Sequence, residues 1–343
     1  MAHATIRDVA RMADVSVASA SRALNGMANV RAATADRVRA AADALGYVPH
    51  AGARSLSIKR AHAIGVVLPD LHGEFFSELV RGMDRQASRL GFNLLLSNMH
   101  ADPDQAIAAL RAMRGRVDGL VVMAPHLDTA AILAGGGGAL PAILINTAGD
   151  TQGRGVIRVD NRAGAEAMVA HLLAIGRTRI AHLAGPRGNA DAEQRIEGFN
   201  AALKAAGITR APLMIAGDFT DQAGADAVAA LLPRLDEIDA IFAANDMMAL
   251  GCLMALREHG IHVPDRIAVA GFDDVPIARY VTPALTTMRI DVAALGERAV
   301  ARLADAIDAR PESGAVEIVT PELVIRGTTS RRDTGSVSKG EEA

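Results

Sequence analysis

Residues 5–26 read Thr5-Ile6-Arg7-Asp8-Val9-Ala10-Arg11-Met12-Ala13-Asp14-Val15-Ser16-Val17-Ala18-Ser19-Ala20-Ser21-Arg22-Ala23-Leu24-Asn25-Gly26. Ile6, Val9, Ala10 and Ala13 recur at i, i+3, i+4 and i+7, which places them on one face of a short helix that Thr5 can cap. Asp14 breaks that pattern, Val15 plugs a turn, and Ser16 is a good N-cap for a second helix over about Val17 to Leu24. The second helix offers Ala20, Ala23 and Leu24 for burial, carries Val17, Ala18, Ser21 and Arg22 on its other face, and stops at Asn25-Gly26. A third helix, Ala33 to Leu45, buries Val38, Ala41, Ala42 and Leu45 and ends at Gly46. Two short helices on a tight turn, supported by a third, predict a helix-turn-helix, a module that places the N-terminal half of its second helix in the DNA major groove.

Charge agrees with that reading. The 343 residues carry 36 Lys plus Arg against 39 Asp plus Glu, a formal net charge of −3. Residues 1–60 hold nine Lys or Arg against four Asp, a net of +5, which leaves −8 on the remainder. A basic end on an acidic body suggests a polyanion-binding module joined to something else. Half the residues are hydrophobic, which excludes disorder along most of the chain. A single cysteine, Cys252, excludes an internal disulfide and a thiolate metal cluster. Met1 to Asp8 lack the apolar core of a signal peptide, and no run approaches the ~18–20 apolar residues that span a bilayer, so a cytoplasmic location is expected.

From Ala63 onward short apolar strands alternate with helical stretches. Strands are expected at Ile64–Leu68, Asn93–Ser97, Gly119–Met123, Ala142–Asn146, Ile180–Ala184, Leu213–Ala216, Ala240–Ala243 and Ile267–Phe272. Regular alternation predicts parallel sheets with helices on both faces. A break around Val156 to Ala163 divides the run into two doubly wound lobes with a cleft between them. Gly135 to Gly138 lacks a following Lys-Ser/Thr and reads as a flexible connection rather than a phosphate cradle.

The motifs match one family. Thr5-Ile6-Arg7-Asp8-Val9-Ala10, Val15-Ser16, Ser21-Arg22-Ala23-Leu24-Asn25-Gly26, Leu45-Gly46-Tyr47-Val48-Pro49 and Ala53-Arg54-Ser55-Leu56 resemble the N-terminal signature of the LacI/GalR regulators. The departures are Ala20 and Ala23, where that family usually has valine. The likeness continues through Pro69-Asp70, Phe75-Phe76, Val159-Asp160-Asn161, Gly185-Pro186, Arg195, Asn245-Asp246, Gly271-Phe272-Asp273-Asp274 and Pro283-Ala284-Leu285-Thr286-Thr287. It implies an α/β chain in four parts. Residues 1–47 would be the three-helix DNA-binding domain and 48–61 a linker with a hinge helix. Residues 62–329 would be a two-lobed, periplasmic-binding-protein-like core, and 330–343 a disordered tail. In that architecture the chain crosses between lobes three times. Lobe one then takes about 62–160 plus 293–320, and lobe two about 161–288.

The resemblance also assigns roles. Arg22 can pair bidentately with guanine. Val17 and Ala18 stand at the family's variable base-reading positions, where they can touch a thymine methyl but donate no hydrogen bond. Thr5, Ser16, Ser21 and Asn25 are expected to position phosphates, Ser16 and Asn25 serving also as helix caps. Ala53 and Leu56 belong to the hinge, and Leu56 matches the leucine that wedges a central minor-groove step.

Ligands of open α/β sheets sit outside the carboxyl ends of the strands. That rule nominates Asp70, Phe75, Phe76, Asn146, Asn189, Asp191, Arg195, Asn245 and Asp273. Aromatic faces with Asn, Asp and Arg suit a polyhydroxylated ligand. In relatives Arg195, Asn245 and Asp273 correspond to effector contacts; Asn146, Asn189 and Asp191 lie at more variable positions. Phe75 and Phe76 are adjacent, so one is expected to face the cleft while the other packs. Asp246 is expected to be a helix cap and Asp160-Asn161 a structural turn. Cys252 reads as core. No metal-ligand spacing, cofactor motif or catalytic grouping stands out, so neither catalysis nor a metal or cofactor is expected.

These features predict a non-enzymatic transcription regulator, a repressor, that binds a palindromic operator as a homodimer under the control of an unphosphorylated sugar. Two alternatives remain at this point: a purine- or nucleoside-dependent co-repressor system, and a solute-binding protein. The second leaves residues 1–60 unexplained.

Overall fold

Helix α1 (Ile6–Met12) opens on a clasp in which the Asp8 carboxylate accepts from the Thr5 backbone N–H at 3.0 Å and from Thr5 Oγ1 at 2.6 Å. An acid at the third helical position satisfies groups the helix itself cannot, and these bonds hold the Asp8 carboxyl below its ordinary value. Asp14 turns the chain at φ 51°, and Ser16 Oγ accepts from Ser19 N–H at 3.1 Å to start α2 (Val17–Leu24). Helix α3 (Ala32–Leu45) stops where Gly46 takes a left-handed φ of 60°, which costs a residue without Cβ little. Val9, Ala20 and Val38 are fully buried among Ala10, Ala13, Ala23, Ala41 and Ala42. The helix-turn-helix is therefore present, with a core built mostly of alanine.

The computed structural model describes residues 4–25, 27, 30–47, 60–138, 140–147, 153–309 and 315–330. Of the expected linker at 48–61, residues 48–59, Ala53 and Leu56 among them, lie outside the described residues, as does the tail from 331. The chain forms two compact units, Met1–Ala63 with Met113–Asp118, and Ile64–Ala112 with Gly119–Ala343.

After β1 (Ala63–Leu68) come α4 (Glu74–Leu90), β2 (Asn93–Asn98), α5 (Pro103–Met113), β3 (Gly119–Met123), α6 (Thr129–Ile132), β4 (Ala142–Ile145) and β5 (Gly155–Val159). The chain then runs through α7 (Asn161–Ala174), β6 (Ile180–Ala184), α8 (Ala190–Ala205), β7 (Leu213–Ala216) and α9 (Asp221–Leu231). Next are β8 (Ala240–Ala243), α10 (Asp246–Glu258), β9 (Ala268–Asp273), β10 (Thr286–Arg289), α11 (Val292–Ile307), β11 (Val316–Val319) and β12 (Glu322–Val324). The strands form two six-stranded sheets, β11-β5-β4-β3-β1-β2 and β12-β10-β9-β8-β6-β7.

The pattern of burial explains the sheets. Every residue of β1, β3, β4, β6, β8 and β9 is buried, as expected of parallel strands covered on both faces. The outer strands β2, β7 and β11 are partly exposed. At the edge of the second sheet β12 runs antiparallel to β10, pairing Leu323 with Met288. Helix α11 packs on α4 and on the first sheet, and β11 pairs with β5, so this late segment completes the first lobe. The chain passes between the lobes at Asp160, at Ile290-Asp291 and at Thr320-Pro321.

The expected division between the lobes falls within Val156 to Ala163, and it is narrow: β5 continues to Val159, Asp160 caps α7 by accepting from Ala163 N–H at 3.0 Å, and Asn161 is already helical. The lobes are thus joined there by a single residue. The glycine run needs correction, for it is not loose. Leu133–Gly137 continues α6 as one wide helical turn with Leu133, Gly136 and Gly137 buried. A side chain at Gly136 would collide with Leu110 on α5, so its glycine permits packing rather than movement.

Glycines also set how closely α9 and α10 approach. A Cβ on Gly251 would strike the carbonyl of Asp221, and one on Gly224 the carbonyl of Met248. Backbone contact on this scale holds α10 firmly against α9. The N-terminus of α10 consequently has a fixed position at the end of β8, where the cleft begins.

Candidate functional site

A cavity of about 440 Å³ lies between the lobes. Pro69, Asp70, His72, Gly73, Phe75, Phe76, His100, Ala101, Met123, Pro125 and His126 form the lobe-one wall. Pro186, Asn189, Asp191, Arg195, Asp218, Phe219, Thr220, Asn245, Met247 and Asp273 form the other. Nearly all follow the carboxyl end of a strand or open the helix after it. The lobe-one wall is mostly aromatic, imidazole and apolar, and the lobe-two wall is polar.

Arg195, on the first turns of α8, organises the polar wall. Its Nε donates to Asn161 Oδ1 at 2.8 Å, one Nη donates to the Ala244 carbonyl, and the other reaches Asp273 Oδ1 at 3.4 Å. Its guanidinium lies 3.9 Å from the centre of the Phe272 ring and 6.0 Å from that of Phe219. Ring faces attract a cation, and flat stacking fixes its plane. Asn161 passes the network on by donating to Asp191 Oδ1 at 2.9 Å, while Asn146 donates to Asp191 Oδ2 at 3.0 Å.

One guanidinium therefore serves two carboxyl groups, and burial dominates their protonation. It pushes Asp273 up to about 7, against the pull of Arg195 and with a further push from Asp191. Asp191 rises to about 6, Arg195 and the amides of Asn146 and Asn161 opposing the shift. Behind them Asp246 is raised well above its ordinary value by burial and by Asp273, although Thr287 Oγ1 and the Val275 N–H both donate to it.

The backbone around this cavity is strained. Left-handed φ occurs at His100 (49°), Ala101 (53°), Phe219 (73°) and Asp273 (112°), and at the neighbouring Asn146 (46°) and Asp274 (56°). Each costs on the order of 1–3 kcal/mol, and such residues gather at ligand sites where surrounding contacts enforce them. At Phe219 the enforcing contact is the Asn245 amide, which donates to its carbonyl at 2.9 Å.

Eight of the nine expected ligand residues line this one cavity: Asp70, Phe75, Phe76, Asn189, Asp191, Arg195, Asn245 and Asp273. Phe75 and Phe76 both do so, their rings edge-on at 5.3 Å, so neither is given over wholly to packing. Asn146 does not line it. Its Nδ2 is taken by Asp191 and its Oδ1 by the Val159 N–H at 2.9 Å, and it borders a smaller hollow with Thr147 and Arg158. Asp246 does not cap α10; Asn245 does, accepting from Met248 N–H at 3.0 Å, and Asp246 instead accepts from the Val275 N–H just past β9 and from Thr287 Oγ1 on β10. Asn161 is not a mere turn residue, for it is fully buried and holds Arg195.

Sequence reasoning missed His72, His100, His126, Asp218, Phe219, Thr220 and Met247. The strand-end rule that found Asn245 would also have found His126 after β3 and Phe219 after β7. Across the cavity mouth Asn189 Nδ2 donates to His126 Nε2 at 3.2 Å, and Ala190 N–H donates to the Pro125 carbonyl at 3.0 Å. Burial lowers the His126 pKa, which keeps that nitrogen available as an acceptor.

Residues 5–50 match the model of bacterial regulatory proteins of the lacI family, and residues 169–329 the periplasmic binding protein-like domain. The HTH-type transcriptional regulator GalR of Escherichia coli (strain K12) is 34% identical over 333 residues, covering 95% of this chain and 96% of its own. The ribose operon repressor of the same strain is 34% identical over 329 residues, covering 95% and 99%. The chain belongs to the LacI family. The crystal structure of the lac repressor dimer bound to operator and the anti-inducer ONPF superposes with a TM-score of 0.85 at 30% identity, covering 96% of this chain and 99% of that one. The protein is thus a DNA-binding transcription regulator controlled by a small effector. Its relatives are regulators rather than enzymes.

On the helix-turn-helix of this LacI-family chain, Thr5, Ser16, Val17, Ala18 and Arg22 are exposed, and Ser21 and Asn25 are half-buried. Val17 keeps 43% of its surface open at the start of α2. Arg22 Nε donates to the Ala18 carbonyl one turn back at 3.2 Å, which aims the guanidinium along the helix towards its exposed N-terminal half. Among the described residues, no helix is long and apolar enough to cross a membrane, and no group of three metal-ligating side chains is assembled.

Proposed function

We propose that this protein is a cytoplasmic repressor that binds a palindromic operator as a homodimer, performs no catalysis, needs no cofactor, and is switched by an unphosphorylated sugar held between its lobes. The observation that carries the reading is the Arg195–Asp273 pair, buried and ring-stacked, on the wall of an interlobe cavity that also offers Asn245, Asn189 and the Phe75 and Phe76 rings. A guanidinium and a carboxylate side by side present donors and an acceptor to neighbouring hydroxyls, while aromatic rings accept the C–H faces of a sugar. Asp70, Asp191, Asp218 and Asp273 face a single arginine in that lining, a balance that disfavours a phosphorylated ligand.

On the DNA side, Arg22, Val17 and Ala18 would read bases. Thr5, Ser16, Ser21 and Asn25 would position the backbone, and the 48–59 segment with Ala53 and Leu56 would enter the minor groove. Effector closure of the lobes would alter the spacing of the two hinges, with coupling of about 1–3 kcal/mol as is usual for such systems.

The test is selection of genomic fragments with the full-length protein, followed by titration of the recovered site with sugars and their phosphates. A two-fold-symmetric site released or tightened by an uncharged sugar supports the reading. A response only to a phosphorylated sugar would contradict the ligand assignment, and a response only to a purine or nucleoside would favour the co-repressor alternative.

A further inference from the structure

Asn161 stands where three structural requirements meet. It is the first residue of α7, directly after the single-residue passage from lobe one to lobe two. It is fully buried, and neither its oxygen nor its nitrogen is spare. Oδ1 accepts from Arg195 Nε at 2.8 Å; Nδ2 donates to Asp191 Oδ1 at 2.9 Å and, more weakly, to the Val159 carbonyl at 3.4 Å. Arg195 and Asp191 are four residues apart on α8, the spacing at which an arginine and an aspartate on one helix face normally pair directly. Here they do not. The only ion-pair partner within 4.0 Å of the Arg195 guanidinium among the described residues is Asp273. The amide occupies the place of a direct contact, giving each charged group one bond of the right polarity.

The chain of bonds closes on itself. The other Asp191 oxygen accepts from Asn146, whose own oxygen accepts from the Val159 N–H at 2.9 Å, and Val159 is the last residue of the strand that leads into the passage. Two amides, one from each lobe, thus hold Asp191 by both oxygens. A buried carboxylate bound twice by neutral donors has little call on a third partner.

Building on the effector assignment above, we propose that Asn161 is a positioning residue for effector binding: as a neutral spacer it keeps Asp191 from capturing Arg195, so that the guanidinium stays turned towards Asp273 and the cavity. The group does not touch the ligand. It decides which way the residue that does touch it is facing, and it does so from the point where the lobes are joined. The charged groups around Asp191 are Arg195 on its own helix, Asp273 at the end of β9 and Arg158 of β5 across the small hollow.

The experiment uses full-length protein labelled with 15N-arginine and 13C-aspartate, as wild type, Asn161→Ala and Asn161→Asp, with Arg195→Lys and Asp191→Asn to assign the signals. In the wild type the Arg195 Nε–H should exchange slowly with water, and Asp191 should titrate above an ordinary aspartate. In Asn161→Ala the spacer is gone; the Nε–H should exchange fast or shift, and the Asp191 titration should fall as it pairs with Arg195. Asn161→Asp keeps an acceptor for Arg195 but repels Asp191, so Nε–H protection should survive while the Asp191 titration rises. A purely structural asparagine would move both variants in the same direction. An Asp191 titration and an Nε–H that are the same in all three proteins would overturn the proposal.

A second arm measures binding of a fixed panel, D-ribose, D-galactose, D-glucose and hypoxanthine, to the same proteins. Any panel member that binds wild type should bind Asn161→Ala about tenfold or more weakly, the scale of one buried hydrogen bond to a charged group. Equal affinity would overturn the proposal. If nothing in the panel binds wild type, that result counts against the reading of the cavity, and the magnetic resonance arm alone decides the role of Asn161.

Discussion

Asp273 and Asp191 share one guanidinium in a buried space, and a full complement of charge there would leave an excess negative charge in low dielectric. Burial resolves this by raising Asp273 to about 7 and Asp191 to about 6. An unfolded aspartate titrates near ~3.9, so between about pH 4 and 7 the folded ligand-free chain holds more protons than the unfolded one. Their contribution to stability is full below pH ~4 and is lost as pH rises through the folded values. Urea unfolding of the ligand-free protein should therefore show this contribution declining from pH 5 to pH 8, and Asp273→Asn should flatten the decline. Ligand binding should run the other way. Hydroxyls donating to Asp273 favour its ionised form, so binding releases protons and affinity rises with pH up to about pH 7. Calorimetry in two buffers of different ionisation heat counts those protons, and a count of zero at pH 6.5 would contradict a hydroxyl on the Asp273 carboxylate. Arg22 is the proposed base-reading side chain. Arg22→Ala should cost about 1–3 kcal/mol of operator affinity and relax the sequence preference at one base pair per half-site; an equal loss on unrelated DNA would mark a phosphate contact instead. Arg195 and Asp273 could be placed on the cavity wall from the sequence because one lies in the first turns of a helix after a strand and the other ends a strand. Asn161 could not. A single polar residue at a passage between lobes has no period, and the groups that give it meaning are contributed from 30 to 34 residues away.

Helices and strands were legible where burial is one-sided or complete. Gly119–Met123, Ile180–Ala184, Leu213–Ala216 and Ala240–Ala243 were bounded to the residue because apolar runs end there in turn formers. The glycines were harder, since one residue type serves both for turning and for close approach. Gly135–Gly138 looked like a loose connection, but its meaning depends on Leu110, a neighbour remote in sequence. Gly224 and Gly251 are the same problem inside helices, where their neighbours are carbonyls of the facing helix. This leads to a prediction at the scale of the helix pair. Gly251→Ala gains up to ~1 kcal/mol of helix propensity, but its methyl group must push α9 away from α10, and overpacking of this kind typically costs about 1–3 kcal/mol. The urea midpoint should fall with an unchanged slope. Because α10 carries Asn245 into the cavity, effector affinity should fall with it. A midpoint at or above wild type would show that the helices separate freely and that the glycines do not position the site.

At the scale of the whole molecule the two ends of the function differ in their electrostatics. The first sixty residues carry +5 and the remainder −8, and DNA binding draws on the first through release of counterions from phosphates. A dimer that neutralises six to ten phosphates should lose roughly a thousandfold or more in operator affinity between 50 and 200 mM salt. The proposed effector cavity is built on the opposite principle. Its charges are already paired or held by neutral donors, as the Arg195–Asp273 contact and the two amides on Asp191 illustrate. Mobile ions screen exposed, separated charges and have little effect on partners buried together. An uncharged sugar should therefore bind with nearly the same affinity across that salt range, even as the operator complex weakens steeply. Fluorescence anisotropy on operator and calorimetry on the sugar, run in the same buffers, give the two slopes. A steep slope for the effector would mean that the ligand carries charge and that the acidic lining belongs to a cation site. On this reading salt moves the operator equilibrium alone, and the ligand's differential affinity for two lobe arrangements would supply the whole of the switching free energy.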